Sequence, residues 1–197
     1  MTTRMLEVGV GDNPRIDIKY DEYWCTDTSS EALSITKQKL ESMGRKIFGP
    51  NDPGPLDRYN TFIFKSRLGW EAIPHAKDNY FDFILGDQFL EHLPRYAVYK
   101  DPWDRIHEIN PLINCLNECW RVAAPGARLQ FNVPKWNSVE QWQDPTHQSP
   151  IPPQFWVYFD PADVWQLKES YGIKASFLLT DVGDGGWYHV FSLTAIK

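Results

Sequence analysis

The 197-residue sequence lacks two features that would mark a membrane protein or a general nucleic-acid binder. No apolar run approaches the roughly 20 residues of a membrane-spanning helix, so we expect no membrane partner. Basic residues are not in excess, since 20 Lys and Arg stand against 26 Asp and Glu, giving a net charge of −6. Broad, charge-driven binding to nucleic acid needs a basic face. A nucleic-acid partner is therefore disfavoured, although a local basic pocket is compatible with this composition.

Cysteine is also scarce. Cys25, Cys115 and Cys119 are odd in number and lack CxxC spacing, so neither a disulfide framework nor a zinc site is indicated. We interpret Cys115 and Cys119 as small buried side chains of one helix. The first predicted strand begins near residue 4, which leaves no room for a signal peptide. Together these features favour a reducing, cytoplasmic setting.

Strand-like and helix-like segments alternate along most of the chain, which predicts an α/β fold. Thr28 and Glu31 form a capping-box pattern that opens a helix running to about residue 43, and Asn110-Pro111 opens another. Near the C terminus, two strands joined by DVGDGG predict an antiparallel hairpin. We expect one domain over residues 1–197, with strands at 5–10, 22–26, 61–65, 80–85, 128–133, 173–180 and 188–196, and a helix at 162–171.

The stretch MLEVGVGDNP, residues 5–14, ends the first predicted strand with two glycines. A GxG at the carboxyl edge of a sheet lets the backbone approach a bound nucleotide or nucleoside, since no Cβ stands in the way. Glu7 precedes the glycines, and a carboxylate there can accept hydrogen bonds from a ligand's ammonium. Asp27 ends the second predicted strand, where a carboxylate binds ribose hydroxyls in such folds. The alternative for Asp27 is an acid that stabilises a helix N terminus.

Three sequence blocks in order carry a resemblance to the class I S-adenosylmethionine-dependent methyltransferases. They are LEVGVGDNP, WEAIPHAKDNYFDFILGDQFLEHLP and LNECWRVAAPGARLQFNVP. The resemblance extends from about residue 5 to 135, and the terminal hairpin fits the reversed last strand of that fold. It implies a Rossmann-like, doubly wound, seven-stranded α/β sheet, mostly parallel with an antiparallel C-terminal hairpin. It also implies S-adenosyl-L-methionine as cofactor.

The resemblance also implies a role for individual residues at the cofactor site. Glu7, Gly9 and Gly11 would hold the methionine moiety, and Asn13 stands where the family usually has a third glycine. Asp27 would bind the ribose. The remaining positions are Leu68, Gly69 and Trp70, which would flank adenine, and Asp87 and Gln88, which would lie beside the methyl group.

Two departures from the family pattern concern the ribose and adenine partners. Only about seven residues separate Arg15 from the second strand, so the usual first crossover helix is missing or vestigial. The acid often found at the adenine turn is Gly69 here, with Glu71 two places on. An alternative register makes residues 28–43 the first helix and moves the second strand to about 45–48, which would remove Asp27 from the site.

Methyl transfer from a sulfonium is an in-line displacement, so the enzyme chiefly aligns the reacting groups, and an oxygen or nitrogen acceptor also needs a base. Asp144 and His147 of DPTH could form a base and its orienting partner, or a capped turn with a packed histidine. His92 of LEHL is a further catalytic candidate or a structural residue. No metal-ligand constellation is evident, since the DPTH pair falls short of a ligand set.

The leading hypothesis is a methyltransferase that acts on a small-molecule or sugar-like acceptor. Segments 96–110 and 135–160 are predicted acceptor-site insertions, because both mix aromatic and charged residues. An alternative is a catalytically inactive S-adenosylmethionine-binding partner subunit, motivated by the shortened first crossover. A nicotinamide-dependent oxidoreductase is disfavoured by Glu7 and by the absence of GxGxxG. The sequence leaves the oligomeric state open.

Overall fold

A computed structural model describes residues 3–15, 19–48, 60–65, 76–100 and 103–197. Six strands form the parallel part of its main sheet. Apolar runs such as FDFILGD become strands that are covered on both faces, as parallel strands require. The six are β1 (Arg4–Val8), β2 (Glu22–Asp27), β3 (Lys46–Phe48), β4 (Asn60–Lys65), β5 (Phe81–Asp87) and β8 (Ala123–Pro134).

An antiparallel pair, β9 (Phe177–Asp184) and β10 (Tyr188–Ala195), completes the sheet, in which β10 lies beside β8. The strand order is β3-β4-β2-β1-β5-β8-β10-β9. The predicted α/β architecture is confirmed, with eight strands in place of seven. The extra strand is β3, a three-residue edge strand beside β4, which lies where the alternative register would place the second strand.

The position of β2 decides between the two registers left open by the sequence. Glu22–Asp27 pairs in parallel with β1, with Glu7 opposite Cys25 and Val8 opposite Thr26. Residues 46–48 do form a strand, but it lies at the far edge of the sheet. The first register is therefore correct, and Asp27 lies at the carboxyl end of the strand next to β1.

Helix α1 (Ser30–Ser42) follows β2, and helix α2 (Pro111–Val122) precedes β8. The cap of α1 is Ser29, whose hydroxyl accepts from the N–H of Ala32 at 3.1 Å, so the predicted cap at Thr28 is one residue early. Asn110 caps α2 as predicted and accepts from the N–H of Ile113 at 3.0 Å.

Two apolar clusters cover the two faces of the sheet, because side chains alternate along each strand. Leu6, Ile84 and Phe131 belong to the larger cluster, whereas Met5 and Phe83 belong to the smaller.

The centre of the larger cluster contains Trp156, whose ring lies 5.8 Å from Phe131 and 5.5 Å from Phe191 between centroids. Trp156 lies in a 3₁₀ helix, Pro153–Phe159. The end of the predicted insertion 135–160 is therefore part of the core.

The helix predicted at 162–171 is wrong, since the chain forms a series of turns there. The side chain of Asp160 accepts from the N–H of Ala162 at 2.8 Å, and Asp163 accepts from Leu167 at 3.2 Å. Asp163 and Gln166 also have positive φ angles of 40° and 53°. Aspartate side chains that bind the nearby backbone compete with helix formation.

The remaining described elements are short. Strands β6 (Ala97–Lys100) and β7 (Ile106–Ile109) form a separate antiparallel hairpin, which falls within the predicted insertion 96–110. Helix α3 (Val139–Gln143) and a 3₁₀ helix at Leu90–His92 complete the set. Among the described residues, no helix is long and apolar enough to cross a membrane.

Candidate active site

Three carboxylates converge where the adjacent parallel strands β2, β1 and β5 end. Glu7 lies in β1, Asp27 ends β2 and Asp87 ends β5. Glu7 is opposite Cys25 on one side and Leu85 on the other. We call Glu7, Asp27, Asp87 and the loop 9–15 the carboxyl edge. Ligands of open α/β sheets bind at this end of the strands.

Glu7 is a buried acid, with 2% of its surface exposed. Its Oε2 accepts from the hydroxyl of Tyr23 and, at 3.1 Å, from the backbone N–H of Arg15. Burial raises the pKa of Glu7 to about 7 although both hydrogen bonds oppose the shift. A cationic ligand beside this group would favour its ionised form. Sequence reasoning missed Tyr23, which lies two strand positions before Cys25 and so reaches the same face of the sheet.

The two glycines of the loop differ in what surrounds them. Gly9 has a φ of 65°, and a Cβ there would lie 2.1 Å from Cδ2 of Phe89. Gly11 has a φ of 56°, and a Cβ there would meet open space. Packing therefore requires the first glycine, whereas the second leaves backbone accessible to a ligand.

Helix α1 holds the loop 9–15 in place. The hydroxyl of Thr36 donates to the carbonyl of Gly11 at 2.9 Å, and the ammonium of Lys39 donates to the carbonyl of Asp12. Of the described residues between β1 and β2, none is helical, as the spacing predicted. Asn13, in the position of the usual third glycine, is exposed.

Asp27 joins this loop to the start of α1. Its Oδ2 accepts from the N–H of Gly11 at 2.9 Å, and its Oδ1 accepts from the N–H of Ser29 at 2.7 Å. Each carboxylate oxygen has a second lone pair, so Asp27 can still accept from hydroxyl groups. Asp27 therefore shapes the start of α1, as one of the two interpretations predicts, and its role towards ribose stays a prediction.

Asp87 is held by two neighbours. Its Oδ1 accepts from Nδ2 of Asn132 at 2.9 Å, and its Oδ2 lies 3.3 Å from Nη1 of Arg15. Gln88 has a φ of 51° and donates its N–H to the carbonyl of Asn132 at 2.9 Å. Asn132 and Arg15 were not predicted. The sequence signal that could have indicated Asn132 is its polar side chain near the end of the predicted strand RLQFNV.

The predicted adenine turn, Leu68, Gly69 and Trp70, lies outside the described residues, as does Glu71. The structure therefore bears on the methionine and ribose ends of the predicted site. Adenine contacts stay a prediction.

A second polar group, the histidine cluster, consists of His92, Asp144, Thr146 and His147. The two imidazole rings are 4.8 Å apart between centroids and inclined at 73°. Two backbone hydrogen bonds bring the segments together, because the carbonyl of Glu91 accepts from Gln148 at 2.7 Å and from Ser149 at 3.0 Å. The three predicted catalytic residues are thus neighbours, although their contacts differ from the expected pairing.

Asp144 is not hydrogen-bonded to His147, since their Oδ2 and Nε2 atoms are 3.7 Å apart. It accepts instead from the Thr146 hydroxyl at 2.6 Å, and the same hydroxyl lies 2.9 Å from Nδ1 of His92. The bonds from Thr146 lower the pKa of Asp144, so this carboxylate is an acceptor. The Thr146 hydroxyl donates its only proton to Asp144. It must therefore accept from the N–H at Nδ1 of His92.

In the neutral form of each ring, the lone pair is therefore on Nε2. Nδ1 of His147 lies 3.1 Å from the carbonyl oxygen of Gln141, which can only accept. Burial, followed by the proximity of His147, lowers the pKa of His92. In its neutral form, each imidazole can accept a proton or bind a metal ion through Nε2.

Exposed aromatic rings accompany the predicted acceptor segments. Trp103, Trp136 and Trp142 have 47–73% of their surface exposed. A cavity of about 330 Å³ is lined in part by residues of these two segments, among them Asn110 and Tyr158. None of its lining residues belongs to the carboxyl edge or the histidine cluster.

The chain has the fold of the class I S-adenosylmethionine-dependent methyltransferases, as its solved structural neighbours show. One is an S-adenosylmethionine-dependent methyltransferase from Aquifex aeolicus, which shares 19% identity with this chain. The match has a TM-score of 0.51 and covers 98% of this chain and 81% of that one. Another is from Methanosarcina mazei: 15% identity, TM-score 0.57, covering 99% and 93%. A third is the [4+2]-cyclase SpnF: 13% identity, TM-score 0.61, covering 99% and 75%. No protein-family model and no curated protein sequence matches the chain.

Proposed function

We propose that the protein is an S-adenosylmethionine-dependent methyltransferase acting on a small-molecule or sugar-like acceptor. The observation that carries this proposal is the convergence of Glu7, Asp27 and Asp87 at the ends of three adjacent parallel strands. The shared fold supports it. The carboxylates at this edge suit the positive charges of the cofactor, and the open space beside Gly11 gives a ligand access to the loop backbone.

The methionine end would be held by Glu7, with the backbone of Gly9 and Gly11 beside it. A buried carboxylate with a raised pKa fits a cationic partner, since the partner offsets the cost of its ionisation. Open space above Gly11 gives the ligand access to the loop backbone. Asp27 would bind the ribose hydroxyls with its remaining lone pairs.

Asp87 and Gln88 would lie beside the methyl group, and Asn13 would border the loop. When bound, S-adenosylmethionine supplies an electrophilic methyl group. This chain's residues then have two tasks: to align the acceptor and, for a hydroxyl or amine, to remove its proton. His147, with its lone pair on Nε2, is the proposed base. His92 and Asp144 keep the cluster in order through Thr146.

The exposed indoles within segments 96–110 and 135–160 support this acceptor class. Trp136 and Trp142 each expose a flat apolar ring face, which suits a sugar ring or a small polar molecule. The indole N–H of Trp142 already donates to the carbonyl of Trp136 at 3.2 Å. The acidic net charge of −6 argues against a duplex.

Calorimetric titration with S-adenosylhomocysteine tests the cofactor site. Wild type should bind, and Asp27→Ala should weaken binding by about 10–100-fold, the value of one or two hydrogen bonds to a charged group. Thr36→Val is the matched control, because it loosens the Gly11 loop and keeps the carboxylate. A well-folded wild type without binding would refute the proposal, as would equal losses in the two variants.

Activity requires a second assay. Wild type should transfer labelled methyl groups to a pool of saccharides or small polar metabolites, and His147→Ala should reduce the rate by about 10²–10⁴-fold. Cofactor binding without transfer to any pool would favour the alternative, an inactive S-adenosylmethionine-binding partner subunit.

A further inference from the structure

Glu91 adds a third ligand-type side chain to the two imidazoles of the histidine cluster. Glu91, His92 and His147 each offer one ligand atom, and these atoms all lie within 4.8 Å of one another. No metal-ligand constellation is evident in the sequence, where the DPTH pair falls short of a ligand set and His147 is remote from LEHL. The backbone bonds from Gln148 and Ser149 to the carbonyl of Glu91 bring the two segments together.

The Glu91 carboxyl group is buried and unpartnered. Its exposed surface is 0%, and neither side-chain oxygen has a hydrogen-bond partner among the described residues. A buried carboxylate without a partner is costly, and such groups in native proteins are normally paired or bound to a metal. No described cation lies in hydrogen-bond contact with Glu91. The amide of Gln141, the residue whose carbonyl orients His147, is also buried without a partner.

The two histidines are oriented as metal ligands usually are. A ligating histidine typically donates its second ring N–H to a carbonyl or carboxylate, which fixes the tautomer. Here Nδ1 of His147 donates to the carbonyl of Gln141, and Nδ1 of His92 donates to the Thr146 hydroxyl, which in turn donates to Asp144. Nε2 of each ring is left as the donor atom for a metal.

We propose that Glu91, His92 and His147 form a binding site for a divalent first-row transition-metal ion. Two imidazoles and one carboxylate suit Zn²⁺, Fe²⁺ or Mn²⁺ better than Mg²⁺, which favours oxygen ligands and bound water. The positive charge of this ion would stabilise the ionised form of the buried Glu91 carboxyl group. The three ligands of this set leave coordination positions for water or for an acceptor's oxygen.

The site lies next to the carboxyl edge. Glu91 follows the end of β5 by a few residues, and the charge of Asp87 acts on its carboxyl group. A metal here would hold an acceptor hydroxyl and lower its pKa, in place of proton removal by a free imidazole. This last step rests on the proposed methyltransferase function, whereas metal binding does not.

The test uses metal-free protein, prepared with a chelator, and titration with Zn²⁺ by calorimetry or with Co²⁺ by visible absorption. We expect one ion per chain. Glu91→Gln and His147→Gln should each weaken binding by at least 10–100-fold, since even loss of a residue that only orients a ligand costs that much. Glu169→Gln and His189→Gln are matched controls, because both residues lie outside the cluster, and they should bind as wild type does.

Thermal unfolding separates loss of binding from loss of folding. Zn²⁺ should raise the Tm of wild type, as any ligand of the native state does. Zn²⁺ should change the Tm of Glu91→Gln little, because this variant lacks one of the three ligands. No binding to wild type at 100 μM Zn²⁺, or equal binding by Glu91→Gln and wild type, would overturn the metal site.

Titration with S-adenosylhomocysteine in the same samples distinguishes the two proposals. Glu91→Gln should keep its affinity for this ligand while losing the metal. Metal binding without S-adenosylhomocysteine binding would sink the methyltransferase proposal and leave the metal site intact.

Discussion

The buried acid Glu7 predicts an unusual dependence of stability on pH. Its pKa rises from an ordinary 4.5 to about 7 in the folded protein. Between these values the native state binds more protons than the unfolded state, so the free energy of unfolding falls as pH rises. Each pKa unit corresponds to about 1.4 kcal/mol. Ionising this group in the fold therefore costs about 2–3 kcal/mol between pH 5 and pH 8.

The perturbation is Glu7→Gln, which keeps the shape of the side chain and an acceptor for the Tyr23 hydroxyl. Relative to wild type, the variant should gain about 2–3 kcal/mol of stability on going from pH 5 to pH 8. Urea unfolding followed by tryptophan fluorescence measures this, since the chain contains nine Trp. Glu169→Gln, at an exposed position, controls for the change in net charge. A difference between Glu7→Gln and wild type that stays constant over this range would refute the reasoning.

Two further predictions concern packing. Gly9→Ala should lower the free energy of unfolding by about 2–4 kcal/mol, because its Cβ would lie 2.1 Å from Phe89. Gly11→Ala should lower it by only about 1 kcal/mol, the cost of backbone strain. Equal losses of the two variants in urea unfolding would contradict this. Trp156→Ala should cost about 3–5 kcal/mol, and Trp156→Phe much less, because the buried indole N–H has no partner among the described residues; calorimetric unfolding that ranked Phe below Ala would refute the placement of Trp156.

Several residues of the candidate site could be predicted because short, contiguous patterns encode them. Glu7, Gly9 and Gly11 follow from one strand and its turn, and Asp27 from the end of the next strand. Parallel strands bring their carboxyl ends to one edge, so spacing alone predicts that such residues meet. Asp87 was implied by the family resemblance, and the end of β5 places it at the same edge.

Other contacts could not be predicted, because they join segments far apart in sequence. Asn132 reaches Asp87 from the neighbouring strand β8, and Thr36 holds the carbonyl of Gly11 from helix α1. The helix predicted at 162–171 failed for a different reason. There the side chains of Asp160 and Asp163 bind nearby backbone N–H groups and favour turns.

The sequence by itself determined the alternation of strands and helices, the reversed last strand and the acids at the strand ends, since these depend on local periodicity and turn chemistry. Only the tertiary structure decided which strand lies beside β1, and hence that Asp27 lies at the carboxyl edge. It also decided that Glu91 and His92 meet His147, because that contact depends on how the segment after β8 packs back onto the end of β5. Side-chain burial, which gives Glu7 and Glu91 their raised pKa values, exists only once the chain has folded.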